Sequence, residues 1–232
     1  ENQMIREINV KEITRNIKEM CIEANYTLSP DMDKAMKKAA GEEKSELGTK
    51  ILNQLQENLV IADSEKIPIC QDTGMAVVFV DIGQEIHFTG GQLEEAIHEG
   101  VRQGYTEGYL RKSVVKDPFE RENTKDNTPA IIHYNIVPGD KVKITVAPKG
   151  FGSENMSRIF MLKPADGIEG VKNAILTAVK DAGPNACPPM VVGVGIGGTF
   201  EKCAILAKKA LTRNLEEPSE IPYVRELEKE ML

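Results

Sequence analysis

Residues 67–80 read IPICQDTGMAVVFV, and this stretch sets the expected architecture. The apolar run from Met75 to Val80 is long enough for a strand buried on both faces, and Gly74 supplies the hinge into it. Just before the hinge, separated from it by Thr73, stand one thiol, one amide and one carboxylate: Cys70, Gln71 and Asp72. A soft ligand beside a carboxylate at a strand entrance suits metal-assisted acid–base chemistry on a small anion. A second string, PNACPPMVVGVGIGG (184–198), repeats the arrangement with Cys187 on a Pro-stiffened loop ahead of a Val-rich run.

Working outward, residues 1–65 read as helical, with Ile5, Ile8, Val10, Ile13, Ile17, Met20 and Cys21 near helical spacing. Ser29-Pro30-Asp31 starts a second helix that Gly41 ends, and Leu47, Ile51, Leu55 and Leu59 mark a third. Strands are expected at 75–81 and 86–88, then a helix from Leu93 through Tyr109, with 112–128 a polar ordered loop. Strands 130–137 and 141–147 flank Pro138-Gly139-Asp140, a strong hairpin turn. Helices are expected at 153–162 and 168–181, a strand at 190–195, and helices at 199–212 and 220–232. The fold class is therefore α/β (mixed α+β): a helical N-terminal part covers a mixed sheet with an antiparallel hairpin, and the C-terminal end is helix-rich. The expected organisation is a single domain over 1–232, comprising a helical lobe (1–65), an α/β part (66–215) and a connector helix (216–232).

A net charge of −7 argues against nucleic acid as a partner, which would need clustered Lys and Arg. No apolar run is long enough to span a membrane, and no basic stretch leads into an apolar core as a secretory signal would. Four cysteines at 21, 70, 187 and 203 have irregular spacing, which suits reduced thiols in the cytoplasm better than a disulfide framework. Cys21 and Cys203 fall on amphipathic helices and read as core residues. Cys70 and Cys187 read equally as small buried hydrophobes or as ligands, whether for zinc or for an iron–sulfur cluster.

Gly193, Gly195 and Gly198 satisfy GxGxxG, the dinucleotide-binding spacing. The region about 20 positions on, LEEPSEIP, carries no strand to end in the required acidic residue. Close helix packing, or backbone approach by a substrate, explains these glycines better. KGFGSEN (149–155) offers backbone N–H groups for an anion or a plain helix cap. Arg111 ends a helix, where it offsets the macrodipole or clamps a carboxylate. The run ERENTKDNTPA (120–130) is by composition a turn, with Asn123, Thr124, Asp126 and Asn127 as adaptable hydrogen-bonding groups.

Taken together, PICQDTG, YLRKS, ENTKDNTPA, PKGFGSENMS, ACPPMVVGVGIGG and TFEKCAILAKKAL resemble the alpha subunit of the iron–sulfur hydro-lyases, class I fumarases and L-tartrate dehydratases. The resemblance runs from about residue 40 to 215. It implies a 4Fe–4S cluster held by three cysteines with one iron open to substrate, and it makes Cys70 and Cys187 two of the ligands. Gln71, Asp72 and Arg111 match positions that contact a dicarboxylate, with Asp72 orienting or relaying protons at the leaving hydroxyl and Arg111 holding the far carboxylate. Lys125 lies on a matching substrate-side loop, where some relatives have glycine. The family's third cysteine lies in a further C-terminal segment, so the chain is expected to be a piece of a longer subunit, inactive alone. A beta subunit is the implied partner within a homo- or hetero-oligomer, supplying catalytic groups including the base. The implied reaction is reversible dehydration of (S)-malate to fumarate, with L-tartrate dehydration as the alternative. From other classes stand a nucleotide-binding enzyme using Gly193–Gly198 and a non-catalytic assembly subunit.

Overall fold

The computed structural model describes residues 5–232. It separates into two compact units: one takes the chain through Leu28 together with Ala40–Phe151, the other Ser29–Ala39 together with Gly152–Leu232.

The first unit opens with β1 (Arg6–Asn9) and α1 (Val10–Tyr26). Asn9 caps the helix by accepting from the Lys11 N–H at 3.0 Å, which satisfies one of its orphan donors. Val10, Ile13, Ile17 and Cys21 then recur at intervals of three and four, so one stripe of α1 is buried. That stripe packs on α4 (Leu93–Glu107), whose Ile97, Val101 and Tyr105 are themselves fully buried. Burying a side chain such as Ile17 stabilises the unit by about 1.5–3 kcal/mol.

The sheet beneath is built on β2 (Met75–Gly83), flanked by β4 (Ile131–Val137) and β5 (Val142–Lys149) in the order β4-β2-β5. Val77–Val80 are buried on both faces of β2, as a central strand requires. β2 runs parallel to β4, with Val77 opposite Ile131, and antiparallel to β5, with Val77 opposite Ala147.

The mixed α/β class therefore holds, but the expected hairpin does not. The two strands flanking Pro138-Gly139-Asp140 are antiparallel in direction, yet β2 lies between them and pairs with both. The turn passes around the end of β2, where Gly83 donates to Lys141 O and Gln84 donates to Val137 O, both at 2.8 Å. Turn chemistry fixes the reversal of direction, while the strong apolar run of β2 claims both ladders.

A second correction concerns Arg6–Asn9, expected as helix. It is a strand paired in parallel with β3 (Ile86–Thr89), a partner some 80 residues away that local periodicity does not register. α2 (Pro30–Glu42) and α3 (Glu46–Glu65) form where the periodicity and the Ser29-Pro30 break place them.

The second unit carries α6 (Gly167–Ala182), α7 (Phe200–Ala210) and α8 (Pro222–Met231), close to their expected places. The helix expected over 153–162 is a single turn, α5 (Phe151–Glu154), because the contiguous run Ile159–Leu162 lacks helical spacing and Pro164 follows. The strand expected at 190–195 is also absent: among the described residues this segment pairs with no other strand. It lies instead against α7. A Cβ on Gly193 would stand 2.3 Å from Ala207 O, and one on Gly195 2.1 Å from Cys203 O. The glycines serve close packing, and without a preceding strand the dinucleotide context is missing.

Candidate functional site

The approach to Cys70 is held from both sides. Ile69 donates its N–H to Asn25 O at 2.8 Å, and Asn58 Nδ2 donates to Ile69 O at 2.8 Å, so α1 and α3 both grip the segment. Lys66 ends α3 in the left-handed conformation that turns the chain toward it. Cys70 is exposed, and its Sγ accepts the Asp72 N–H at 3.4 Å and donates toward Gln71 Oε1 at 3.5 Å.

The residues after Cys70 anchor the turn. Asp72 Oδ2 accepts the Phe151 N–H at 3.0 Å, which ties the turn to the KGFG loop. Thr73 is buried; its hydroxyl donates to Arg111 O at 3.1 Å and its carbonyl accepts from Tyr105 OH at 2.7 Å. Gly74 has φ +60°, and a Cβ there would stand 2.1 Å from Lys149 O, so only glycine fits. Burial pushes the Tyr105 hydroxyl's pKa upward, with the nearby Cys21 and Asp72 adding to it, so Tyr105 stays a neutral donor.

Cys70, Gln71 and Arg111 line one open cleft of ≈ 360 Å³, together with Ile67, Pro68, Thr73 and Tyr109. Three of the sequence-predicted site residues thus share a wall, and Asp72 lies next along the same turn. Lys125 is exposed with φ +68°, on the 120–130 loop, and does not line the cleft. Cys187 is also exposed; it belongs to the second unit, where it caps a short 3₁₀ turn (Gly183–Ala186) in the left-handed region. Cys21 is buried, and burial pushes its thiol pKa up to about 12, which leaves it inert. Cys203 is half-buried and donates to Phe200 O on its own helix. The two exposed thiols are therefore the two that the sequence singles out. No group of three His, Cys, Asp or Glu side chains able to hold a metal occurs among the described residues.

The 120–130 loop is more ordered than its composition suggests. Asp126 accepts from Thr128 N and Oγ1 and pairs with Arg102 Nε at 2.9 Å. Partial burial pushes the Asp126 carboxyl upward, but the bonds from Thr128 and Arg102 outweigh it and hold the pKa at about 2. Asn127 is wholly buried. Tyr109 and Thr73 on the cleft wall are contributors that the site motifs did not single out, and Asn127, grouped by sequence with the adaptable polar residues of its run, is the one of them that is buried.

The sequence is similar to that of known proteins. The family model for fumarate hydratase (Fumerase) matches residues 14–232. The chain belongs to the class I fumarase and tartrate dehydratase alpha-subunit family, whose members are hydro-lyases. Among its relatives, the putative L(+)-tartrate dehydratase subunit alpha of Methanocaldococcus jannaschii is 42% identical over 220 residues, covering 92% of this chain and 77% of that protein. The L(+)-tartrate dehydratase subunit alpha of Escherichia coli K12 is 30% identical over 235 residues, covering 97% of this chain and 76% of its own length. No helix among the described residues is long and apolar enough to cross a membrane.

Proposed function

We propose that this chain is the alpha subunit of an iron–sulfur hydro-lyase that removes water from a four-carbon 2-hydroxy dicarboxylate, with L-tartrate as the leading substrate. The observation that carries the reading is the cleft wall on which Cys70, Gln71 and Arg111 meet. Tartrate is preferred because the relatives quoted above carry that name; the family model's description keeps (S)-malate as the second candidate.

Cys70 and Cys187 are assigned as cluster ligands, since both present exposed sulfurs. The third ligand is assigned outside the described residues. A 4Fe–4S cluster bound there would supply a Lewis acid for loss of the hydroxyl. Arg111 offers a planar fork of donors to the carboxylate farther from the reacting carbon. Gln71 adds an amide to orient the substrate. Asp72, steadied by the Phe151 N–H, holds or relays a proton at the departing hydroxyl. Lys125 is assigned to the substrate side of its loop. A beta subunit is the inferred partner, by analogy with relatives named as alpha chains, and supplies the base that takes the proton from the neighbouring carbon.

Anaerobic reconstitution of the alpha–beta enzyme, followed by comparison of kcat/KM for L-tartrate and (S)-malate, tests this assignment. Dehydration of L-tartrate yields the enol of oxaloacetate; a preference for (S)-malate would exchange the two candidates. An Arg111→Ala enzyme is expected to lose about 100-fold in kcat/KM, the scale of a misplaced substrate. Unchanged KM and kcat would remove Arg111 from the scheme.

A further inference from the structure

Three strings assigned above to the substrate side are distant in sequence, yet one buried side chain joins them. Asn127 Oδ1 accepts the Ser113 N–H at 2.7 Å and the Val114 N–H at 3.3 Å, and its Nδ2 donates to Gly74 O at 2.9 Å. The residue is 0% exposed and sits at φ +61°. We propose that Asn127 is a positioning residue that fixes the separation between the Arg111 segment and the Cys70–Asp72 turn, and through it the length of dicarboxylate the site accepts. This inference rests on the hydro-lyase reading.

The chemistry of the position is demanding. It needs an acceptor and a donor on one short planar group, and a backbone that tolerates the left-handed region. Asparagine meets both conditions. Aspartate keeps the acceptor but turns a second oxygen toward the Gly74 carbonyl, and glycine keeps only the backbone conformation.

A second tie lies close by. Thr73 Oγ1 donates to Arg111 O at 3.1 Å. The Arg111 segment is thus held to the Cys70–Gly74 turn at two points, residue 111 directly and residues 113–114 through Asn127. One tether sets a distance; two also set an orientation. The loop that carries Asn127 is itself held, by Arg102 on Asp126 and by Asn123 Nδ2 donating to Lys112 O at 2.9 Å. Arg111 is two residues from the clamp on one side, and Asp72 two residues from it on the other. A shift of the amide therefore reaches both ends of a bound substrate, and displacement on the ångström scale is worth orders of magnitude in rate.

The test uses the reconstituted holoenzyme with Asn127→Asp and Asn127→Gly, the second keeping the backbone conformation should the first fail to fold. Ile13→Ala, a core change in α1, serves as the control for loss of stability alone. Three quantities are read: kcat/KM, the ratio of binding constants for succinate and glutarate, and hydrogen exchange at 70–74, 111–114 and 123–128. The expected result is a fall of about 100-fold in kcat/KM, a succinate-to-glutarate preference that narrows toward one, and faster exchange in all three segments together. Ile13→Ala should leave the preference intact. Faster exchange confined to 123–128, or an unchanged preference, overturns the proposal. If the unmodified enzyme dehydrates no hydroxy acid, the hydro-lyase assignment falls, and the exchange pattern still decides whether Asn127 couples the three segments.

Discussion

The two units of the chain place their exposed thiols by different means. In the first, Cys70 begins a turn whose last three residues are each bonded to something buried or fixed: Asp72 to Phe151, Thr73 to Tyr105 and Gly74 to Asn127. In the second, Cys187 sits on a loop stiffened by Pro184, Pro188 and Pro189, with its N–H bonded to Pro184 O at 3.1 Å. Burial differs just as sharply. Among the described residues, nearly all the buried apolar side chains belong to the first unit, and only Ala182 and Leu227 belong to the second. Phe160, Val192, Ile196 and Phe200 are all 40% or more exposed. The lesson is that a site residue can be rigid through packing beneath it or through restriction of its own backbone, and these fail differently under mutation.

The largest expected effect tests the assignment of the thiols. Cys70→Ser and Cys187→Ser should each reduce holoenzyme activity by more than about 100-fold, beyond the usual cost of disturbing a metal ligand's support. Neither should lower the melting temperature of the cluster-free chain, because both side chains are exposed. Cys203→Ser should leave activity within a few-fold. Comparable losses from Cys203→Ser would mean that exposure is the wrong criterion for choosing ligands.

The contrast in burial predicts an unequal response to truncation. Ile17→Ala should cost the first unit about 2–5 kcal/mol, as for other fully buried aliphatics. Ile196→Ala, at a position 53% exposed, should cost under about 0.5 kcal/mol. Denaturant titration followed by hydrogen exchange of each unit measures both. Equal costs would break the comparison.

The smallest effect concerns acid. The pKa of Asp126 is depressed to about 2 in the fold from an ordinary 3.8. Its contribution to stability is therefore complete above the ordinary value and is lost as pH falls through the folded one. Asp126→Asn should flatten the acid limb of the stability curve between about pH 4 and pH 2, leaving the neutral region's pH slope unchanged. An identical acid limb in the variant would show that the Arg102 pairing contributes nothing there.

Much of this was legible in the chain. The Met75–Val80 run, the stripes of α1 and α4, and the break at Ser29-Pro30 all express local periods that side-chain burial enforces. Cys70, Gln71 and Arg111 were legible as chemistry, and the fold brings them to one cleft. Other features depend on partners distant in sequence. β1 is a strand only because β3 accepts it. The 190–195 segment has strand composition but, among the described residues, no strand to pair with, and it lies along α7 instead. Asn127 is one polar residue in a polar run, and nothing local marks it as the one that is buried.

The insertion of β2 between β4 and β5 has a consequence for synthesis. Met75 pairs with Lys149, and the same Lys149 carbonyl is what closes over Gly74. At ribosomal speeds of about 5–20 residues per second, Lys149 emerges about 4–15 s after Met75. Until β4 emerges, a nascent chain carries the five-residue oily ribbon Ala76–Val80 with both hydrogen-bonding edges unclaimed, and the edge that β5 takes stays so for the rest of that interval. The segment that follows the exposed Cys70 thiol is thus also the one most in need of a chaperone's shelter while the polypeptide is being made.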